Sequence, residues 1–280
     1  MPSVPAALKL VAFLALTALL IPVQAVLLRW RSPLAKRLPV HVHRLYCRIL
    51  QLEVVLHGSP APEAPVLFVA NHTSWIDILV LSTFVPVSFV AKHEVENWPF
   101  FGLLARLQRT VFVERRVART AEHRDEMGRR LEAGDNLLLF AEGTSNDGNR
   151  VLPFKSAFFA VAESRILGRP LLVQPVSIAY TRLDGLPIGR RLRHRFAWYG
   201  DMDLVPHIWK VLRAGKLTVE VEFHQTITIE EAQNRKQLAL RCQRAVAVGV
   251  ARAISGRRDN VDASAAGAAA GDLAGATGPS

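Results

Sequence analysis

Asn71-His72-Thr73-Ser74-Trp75-Ile76-Asp77 sets a histidine and a carboxylate at the exit of an apolar run of strand length, Val66 to Ala70. The run Ile76 to Phe84 is apolar again and continues as a predicted helix. A histidine leaving a strand, with Asp77 able to reach its second ring nitrogen, is a means of activating a hydroxyl as a nucleophile. A second polar turn, Glu142-Gly143-Thr144, follows the apolar run Leu137 to Phe140. Two such turns after two buried strands converge at one edge of an α/β sheet, where ligands bind. Each segment also has a plain reading. Ser74-x-x-Asp77 fits a capping box, with Ser74 as N-cap and Asp77 at the third helical position. His72 is then a surface turn residue, and Glu-Gly-Thr is ordinary turn composition. The two readings are compatible, because a helix N-terminus beside the pair favours developing negative charge.

The surrounding pattern predicts the elements that would hold these turns. Strands are expected at Glu53 to Leu56, Val66 to Ala70, Val87 to Ala91, Thr110 to Val113, Leu137 to Ala141, Leu171 to Ile178, Arg195 to Tyr199 and Leu217 to Phe223. Helices are expected between them, notably Val117 to Glu132 and Phe154 to Ile166, with a closing helix at Arg235 to Ile254. Such alternation argues for an α/β domain with a largely parallel, mixed sheet covered by helices. The organisation read from this is a membrane-associated segment over 1–50, a catalytic domain over 51–256 and a disordered Ala/Gly/Ser tail over 257–280. No internal repeat is visible. Cys47 and Cys242 are far apart and without metal-like spacing, so no disulfide framework is implied and a reducing cytosolic face is the simplest compartment.

Of 280 residues, 50% are hydrophobic, high for a freely soluble enzyme. Leu10 to Leu28 is almost wholly apolar, interrupted by Thr17, Pro22 and Gln24, and long enough to cross a bilayer core. Arg29, Arg31, Lys36 and Arg37 follow it, which by the positive-inside bias makes the next domain cytoplasmic. A signal peptide cleaved after Val23-Gln24-Ala25 competes, but the positive charge behind the apolar run argues against translocation. An in-plane helix kinked at Pro22 is a third form. Leu34 to Leu50, with Leu38, Val42, Leu45 and Ile49 among basic residues, suits a second, amphipathic helix on an anionic interface. The net charge of +11 would also fit nucleic acid. It clusters near the apolar segment, in Arg106 to Arg119 and in Arg190 to Arg195, with no nucleic-acid motif, so anionic headgroups are the better match and nucleic acid is not expected.

Read together, NHxxxxD and the later F-x-E-G-T resemble the glycerolipid acyltransferase family. The resemblance extends over Val66 to Tyr180, in family order: Thr110-Val111-Phe112-Val113-Glu114-Arg115, Pro153-Phe154-Lys155-Ser156-Ala157-Phe158 and Val173-Gln174-Pro175-Val176. It implies acyl transfer from a thioester to a lysolipid hydroxyl, with His72 as base and Asp77 as orienter and no covalent acyl-enzyme. It also implies substrate contacts at Asn71, Ser74, Arg115, Glu142, Gly143, Thr144 and Lys155. Backbone donors near Asn71 to Ser74 or at Gly143 would hold the oxyanion. No metal or resident cofactor is implied. The donor is an acyl carrier protein or coenzyme A thioester, and the acidic carrier could share the basic surface.

One departure bears on the acceptor. Ala141 and Ser145 stand where the family's block carries proline and arginine, and an arginine there is a phosphate clamp. The string Glu142 to Ser156 and the stretch Trp198 to His207 resemble the bacterial branch that acylates lyso-ornithine lipid. Its headgroup has an amine and a carboxylate in place of a phosphate. This favours lyso-ornithine lipid over lysophosphatidate, with the enzyme on the cytoplasmic face of the inner membrane. Asp147, Asp201 and Asp203 are candidates for the ammonium, and Arg115 or Arg150 for a phosphate if there is one. A hydrolase using His72 and Asp77 on water, or a non-catalytic basic surface protein, would also fit the residues alone.

Overall fold

A computed structural model describes residues 5–63, 65–113 and 120–256. The chain runs α1 (Ala6–Arg29), α2 (Leu34–Ile49), β1 (Leu52–His57), β2 (Val66–Ala70), α3 (Ile76–Leu81), β3 (Ser88–Lys92), a 3-10 helix at His93–Asn97, α4 (Phe101–Leu107) and β4 (Val111–Val113). It continues with α5 (Thr120–Glu132), β5 (Leu137–Phe140), a 3-10 helix at Ser156–Glu163, β6 (Arg165–Ile166), β7 (Arg169–Pro170), β8 (Leu172–Leu183) and β9 (Leu186–Pro187). The last elements are α6 (Arg190–Arg193), α7 (Leu204–Leu212), β10 (Leu217–Phe223), α8 (Ile229–Ala232) and α9 (Arg235–Ile254). The expected tail at 257–280 and Arg115 lie outside the described residues.

The sheet order is β1-β10-β8-β2-β5-β3-β4. Every neighbouring pair along this path is parallel except β10 with β8. The expected mixed, mostly parallel sheet is therefore observed. Central strand β2, Val-Leu-Phe-Val-Ala, is buried throughout, as a strand flanked and covered on both faces must be. Its alternation divides two cores. Val66, Phe68 and Ala70 pack with Tyr46, Ile76, Val80 and Leu212 on one face. Leu67 and Val69 pack with Met127, Leu131, Phe159 and Val246 on the other. Helix α9 covers this second face and starts cleanly, because Asn234 Oδ1 accepts from the amides of Lys236 and Gln237, both at 3.0 Å.

Two expected elements take other forms. Arg195 to Tyr199 is not a strand: the amides of Arg195 and Phe196 close a turn on Leu192 O and Arg193 O, and Trp198 N donates to Thr73 O. Phe154 to Ile166 is a 3-10 helix followed by half of a two-residue hairpin. Its buried run Phe159-Ala160-Val161-Ala162 leaves no polar face for an α-helix to present to water.

Helix α1 is long and apolar enough to cross a membrane and continues through Pro22 without a break. Its few polar residues point inward. Lys9 Nζ donates to Ala214 O at 3.3 Å, Thr17 bonds the Tyr46 hydroxyl at 2.7 Å, and Gln24 Nε2 donates to Ala35 O and Leu107 O at 2.9 and 3.0 Å. Leu8, Val11, Leu14, Leu19, Val23 and Val26 face outward. This inverts the soluble-helix pattern and leaves an apolar stripe on the surface. Helix α2 is bound to the domain as well as amphipathic. It buries Val40, Tyr46 and Cys47, and Lys36 Nζ reaches buried Asp135 at 2.7 Å. Arg109 and Arg130 bond the same carboxylate, so Arg109 braces the fold where a lipid contact was expected.

Candidate active site

His72 and Asp77 lie where β2 opens into α3. The ring Nδ1 donates to Asp77 Oδ2 at 2.8 Å, leaving Nε2 as the nitrogen able to take a proton. The imidazole stacks on Phe140 with 3.9 Å between centroids and 17° between planes. Phe140 closes β5, so the two turns expected to converge do meet, and Asn146 N donates to His72 O at 3.1 Å.

Asp77 is 0% exposed and surrounded by donors. Its Oδ2 also accepts from the amides of Thr73 and Ser74 at 2.7 and 2.9 Å, and its Oδ1 from the Tyr180 hydroxyl at 2.5 Å. Four donors on one buried carboxylate offset its desolvation and hold it rigidly. The capping reading is thus half realised. Asp77 satisfies the amides ahead of the helix, but the N-cap is Trp75, one residue later than expected, and no side chain caps it. Burial first, then the Asp77 charge and bond, raises the Tyr180 pKa well above its ordinary value, so the hydroxyl stays protonated and donates. Tyr180 went unmarked in the sequence reading. Its signal is a phenol on a buried stretch of β8, whose hydroxyl must find a polar partner.

Three of the expected substrate contacts are turned into the protein. Asn71 mimics a peptide group: its Nδ2 donates to Ile178 O and its Oδ1 accepts from Ile178 N, each at 2.9 Å, tying the end of β2 to β8. Ser74 is fully buried beside Tyr180. Glu142 is 1% exposed; its Oε2 accepts from Asn146 Nδ2 at 2.7 Å and its Oε1 from Leu152 N at 3.1 Å. Burial outweighs these bonds and pushes its pKa up to about 8. The expected acceptor contact is instead the brace of the loop that follows it. Gly143 has φ of +69°, and a Cβ there would stand 2.9 Å from Lys155 Nζ, so the glycine lets the turn close beneath the lysine. The amides of Thr73, Ser74 and Gly143 are already engaged, the last with Phe140 O at 3.0 Å. Of the expected oxyanion donors, these three are therefore occupied.

His72, Gly143, Thr144 and Lys155 line one cavity of about 1410 Å³. Its walls are apolar: Phe13, Leu20 and Ile21 from α1, Val42 and Tyr46 from α2, Phe101 and Leu104 from α4, Leu204 and Ile208 from α7. The segment Trp198 to Met202 forms part of the lining. It is fixed to the histidine turn, because Trp198 N donates to Thr73 O at 2.9 Å and Trp75 Nε1 donates to His207 Nδ1 at 3.0 Å. A long aliphatic chain fits such a space, with its reacting end at Nε2 of His72.

A protein-family model described as Acyltransferase matches residues 53–179. The chain is 44% identical over 254 residues to the lyso-ornithine lipid O-acyltransferase of Brucella abortus (strain 2308), covering 89% of this chain and 95% of the relative. It is 47% identical over 225 residues to the protein of that name in Rhizobium meliloti (strain 1021), covering 79% and 77%. In fold it is similar to the crystal structure of the 1-acyl-sn-glycerophosphate acyltransferase from Thermotoga maritima. There the TM-score is 0.61 at 21% identity, over 88% of this chain and 95% of that one.

Proposed function

The chain belongs to the acyltransferase family, and from that premise we propose that it moves a fatty acyl group from a thioester to the hydroxyl of lyso-ornithine lipid. The observation that carries this is the Asp77-held His72 on the wall of an apolar cavity. Nε2 of His72 takes the acceptor's hydroxyl proton as that oxygen attacks the thioester carbonyl. The tetrahedral intermediate collapses, the carbon–sulfur bond breaks, and the imidazolium returns the proton to the departing thiolate. Asp77 fixes the Nδ1–H tautomer and stabilises the imidazolium, in the manner of a triad whose hydroxyl comes from the substrate. Lys155, above Gly143, supplies positive charge toward the developing oxyanion.

A single ligand usually fills about 300–1,000 Å³. The larger cavity here accommodates both the donor's chain and that of the acceptor. The donor is an acyl carrier protein or coenzyme A thioester. The outward apolar stripe of α1, followed by Arg29, Arg31, Lys36 and Arg37, supports a site on the cytoplasmic face of the inner membrane. The acceptor follows from the names of the two relatives and from Ser145, where a phosphate-clamping arginine is missing.

The experiment offers labelled acyl thioester to membranes containing the protein, with lyso-ornithine lipid, lysophosphatidate or no acceptor. Labelled ornithine lipid is expected. Product from lysophosphatidate alone would overturn the acceptor, and free fatty acid released equally without acceptor would make the protein a hydrolase.

A further inference from the structure

We propose that Asp201 reads the acceptor headgroup, its carboxylate pairing with the free ammonium of an amino-acid-headed lysolipid. This rests on the acyl-transfer reading above and adds the group that selects the substrate. Three aspartates near the site could meet a cation, and the structure separates them. Asp147 is engaged inside its own loop: its Oδ1 accepts from Asn149 N at 3.1 Å and its Oδ2 from Asn149 Nδ2 at 3.0 Å. Asp203 stands at the N-cap of α7, outside the cavity lining. Asp201 lines the cavity, and it is the one carboxylate to do so among the described residues.

Its place is fixed from two sides. Trp198 is tied through its amide to Thr73 O, one residue from the catalytic histidine. The indole of the same Trp198 donates to Met202 O at 2.7 Å, closing Tyr199, Gly200 and Asp201 into a short loop. Trp98 packs edge-on against Trp198 at 6.0 Å. The acid is therefore held in the wall of the same cavity as His72, by the turn that carries the base. A lysolipid whose hydroxyl reaches His72 then has its headgroup in the cavity that Asp201 lines.

The charge balance gives the selection its sign. Lys92, Arg124 and Lys155 line the same cavity, so a purely anionic headgroup already finds cations there. A carboxylate among them repels a phosphate and attracts an ammonium. A zwitterionic headgroup gains from both.

The test compares kcat/KM for lyso-ornithine lipid and lysophosphatidate in vesicles of one composition, for the wild type, Asp201→Asn and Asp201→Glu. Asp201 is exposed on a turn, so both variants are expected to keep the wild-type thermal midpoint. The Asn variant should lose tenfold or more with lyso-ornithine lipid, mainly through KM, and lose nothing with lysophosphatidate. The Glu variant should retain most of the preference. Acetylating the acceptor's amine should weaken it tenfold for the wild type with no further loss for Asp201→Asn. A preference unchanged in Asp201→Asn, in a wild type that does use lyso-ornithine lipid, overturns the role of Asp201 alone. A wild type that uses only lysophosphatidate overturns both this assignment and the acceptor on which it rests.

Discussion

Glu142→Gln should abolish the loss of stability that the protein shows as pH rises from 6.5 to 8. The native carboxyl is pushed to about 8 from 4.5, chiefly by burial and against the bonds from Leu152 and Asn146. Because the folded value lies above the unfolded one, the stabilisation is complete below pH 4.5 and is lost as pH rises through about 8. The gap of roughly 3.5 units, at about 1.4 kcal/mol each, amounts to ~5 kcal/mol. Two histidines act in the opposite sense. Burial first holds both His43 and His224 near 4 against 6.5, so their stabilisation is present above pH 6.5 and lost as pH falls. The interval from 6.5 to 8 therefore isolates Glu142, with an expected loss of ~1–2 kcal/mol across it. Gln, neutral like the protonated carboxyl, keeps an acceptor for Leu152 N. The variant should be about as stable as the wild type at pH 5 and more stable at pH 8. Urea midpoints of both proteins in one detergent, from pH 5 to 9, read this directly. Parallel curves, with a wild-type minus variant difference independent of pH, would refute a buried, neutral Glu142.

Tyr180→Phe removes one of the four donors on Asp77, a bond to a charged group worth about 1.5–3 kcal/mol. Turnover should fall about tenfold through kcat, with KM little changed, because the carboxylate that orients His72 is held less rigidly; a wild-type kcat would make Tyr180 a packing residue only. Gly143→Ala puts a side chain at a left-handed position under Lys155, costing about 1–2 kcal/mol in backbone strain. Transfer should drop together with the thermal midpoint, and wild-type values for both would contradict the turn geometry.

The parts of the site most legible in the sequence were those written in apolar runs. Val66 to Ala70 and Leu137 to Phe140 are strands because nothing but a buried sheet accommodates them, and the polar residues just beyond must then share one edge. What each polar residue does there was less legible. Asn71 and Glu142 stand next to the chemistry in sequence, yet their hydrogen bonds run back into β8 and the loop at Leu152. Partners that distant in the chain leave no mark in local spacing. Tyr180 is the converse, a functional neighbour of Asp77 from the far end of β8. In α1, Thr17 and Gln24 read as interruptions of an apolar run, and Lys9 lies just ahead of it. Their spacings of eight and seven residues put them on one helical face, and that face is the one bound to the domain. The segment Arg195 to Tyr199 has strand composition, but its first amides close a turn on Leu192 O and Arg193 O and Trp198 N goes to Thr73 O, partners that strand composition does not reveal.

The central claim is that Nε2 of His72 removes the proton from the lysolipid hydroxyl. The most direct measurement is the acceptor-dependent rate of acyl transfer from a labelled thioester, for the wild type and for His72→Ala in the same membranes. General base catalysis contributes about 10²–10⁴-fold. The account predicts a loss of at least that size in the variant, with an unchanged thermal midpoint. Transfer within tenfold of the wild-type rate would contradict it and remove His72 from the chemistry.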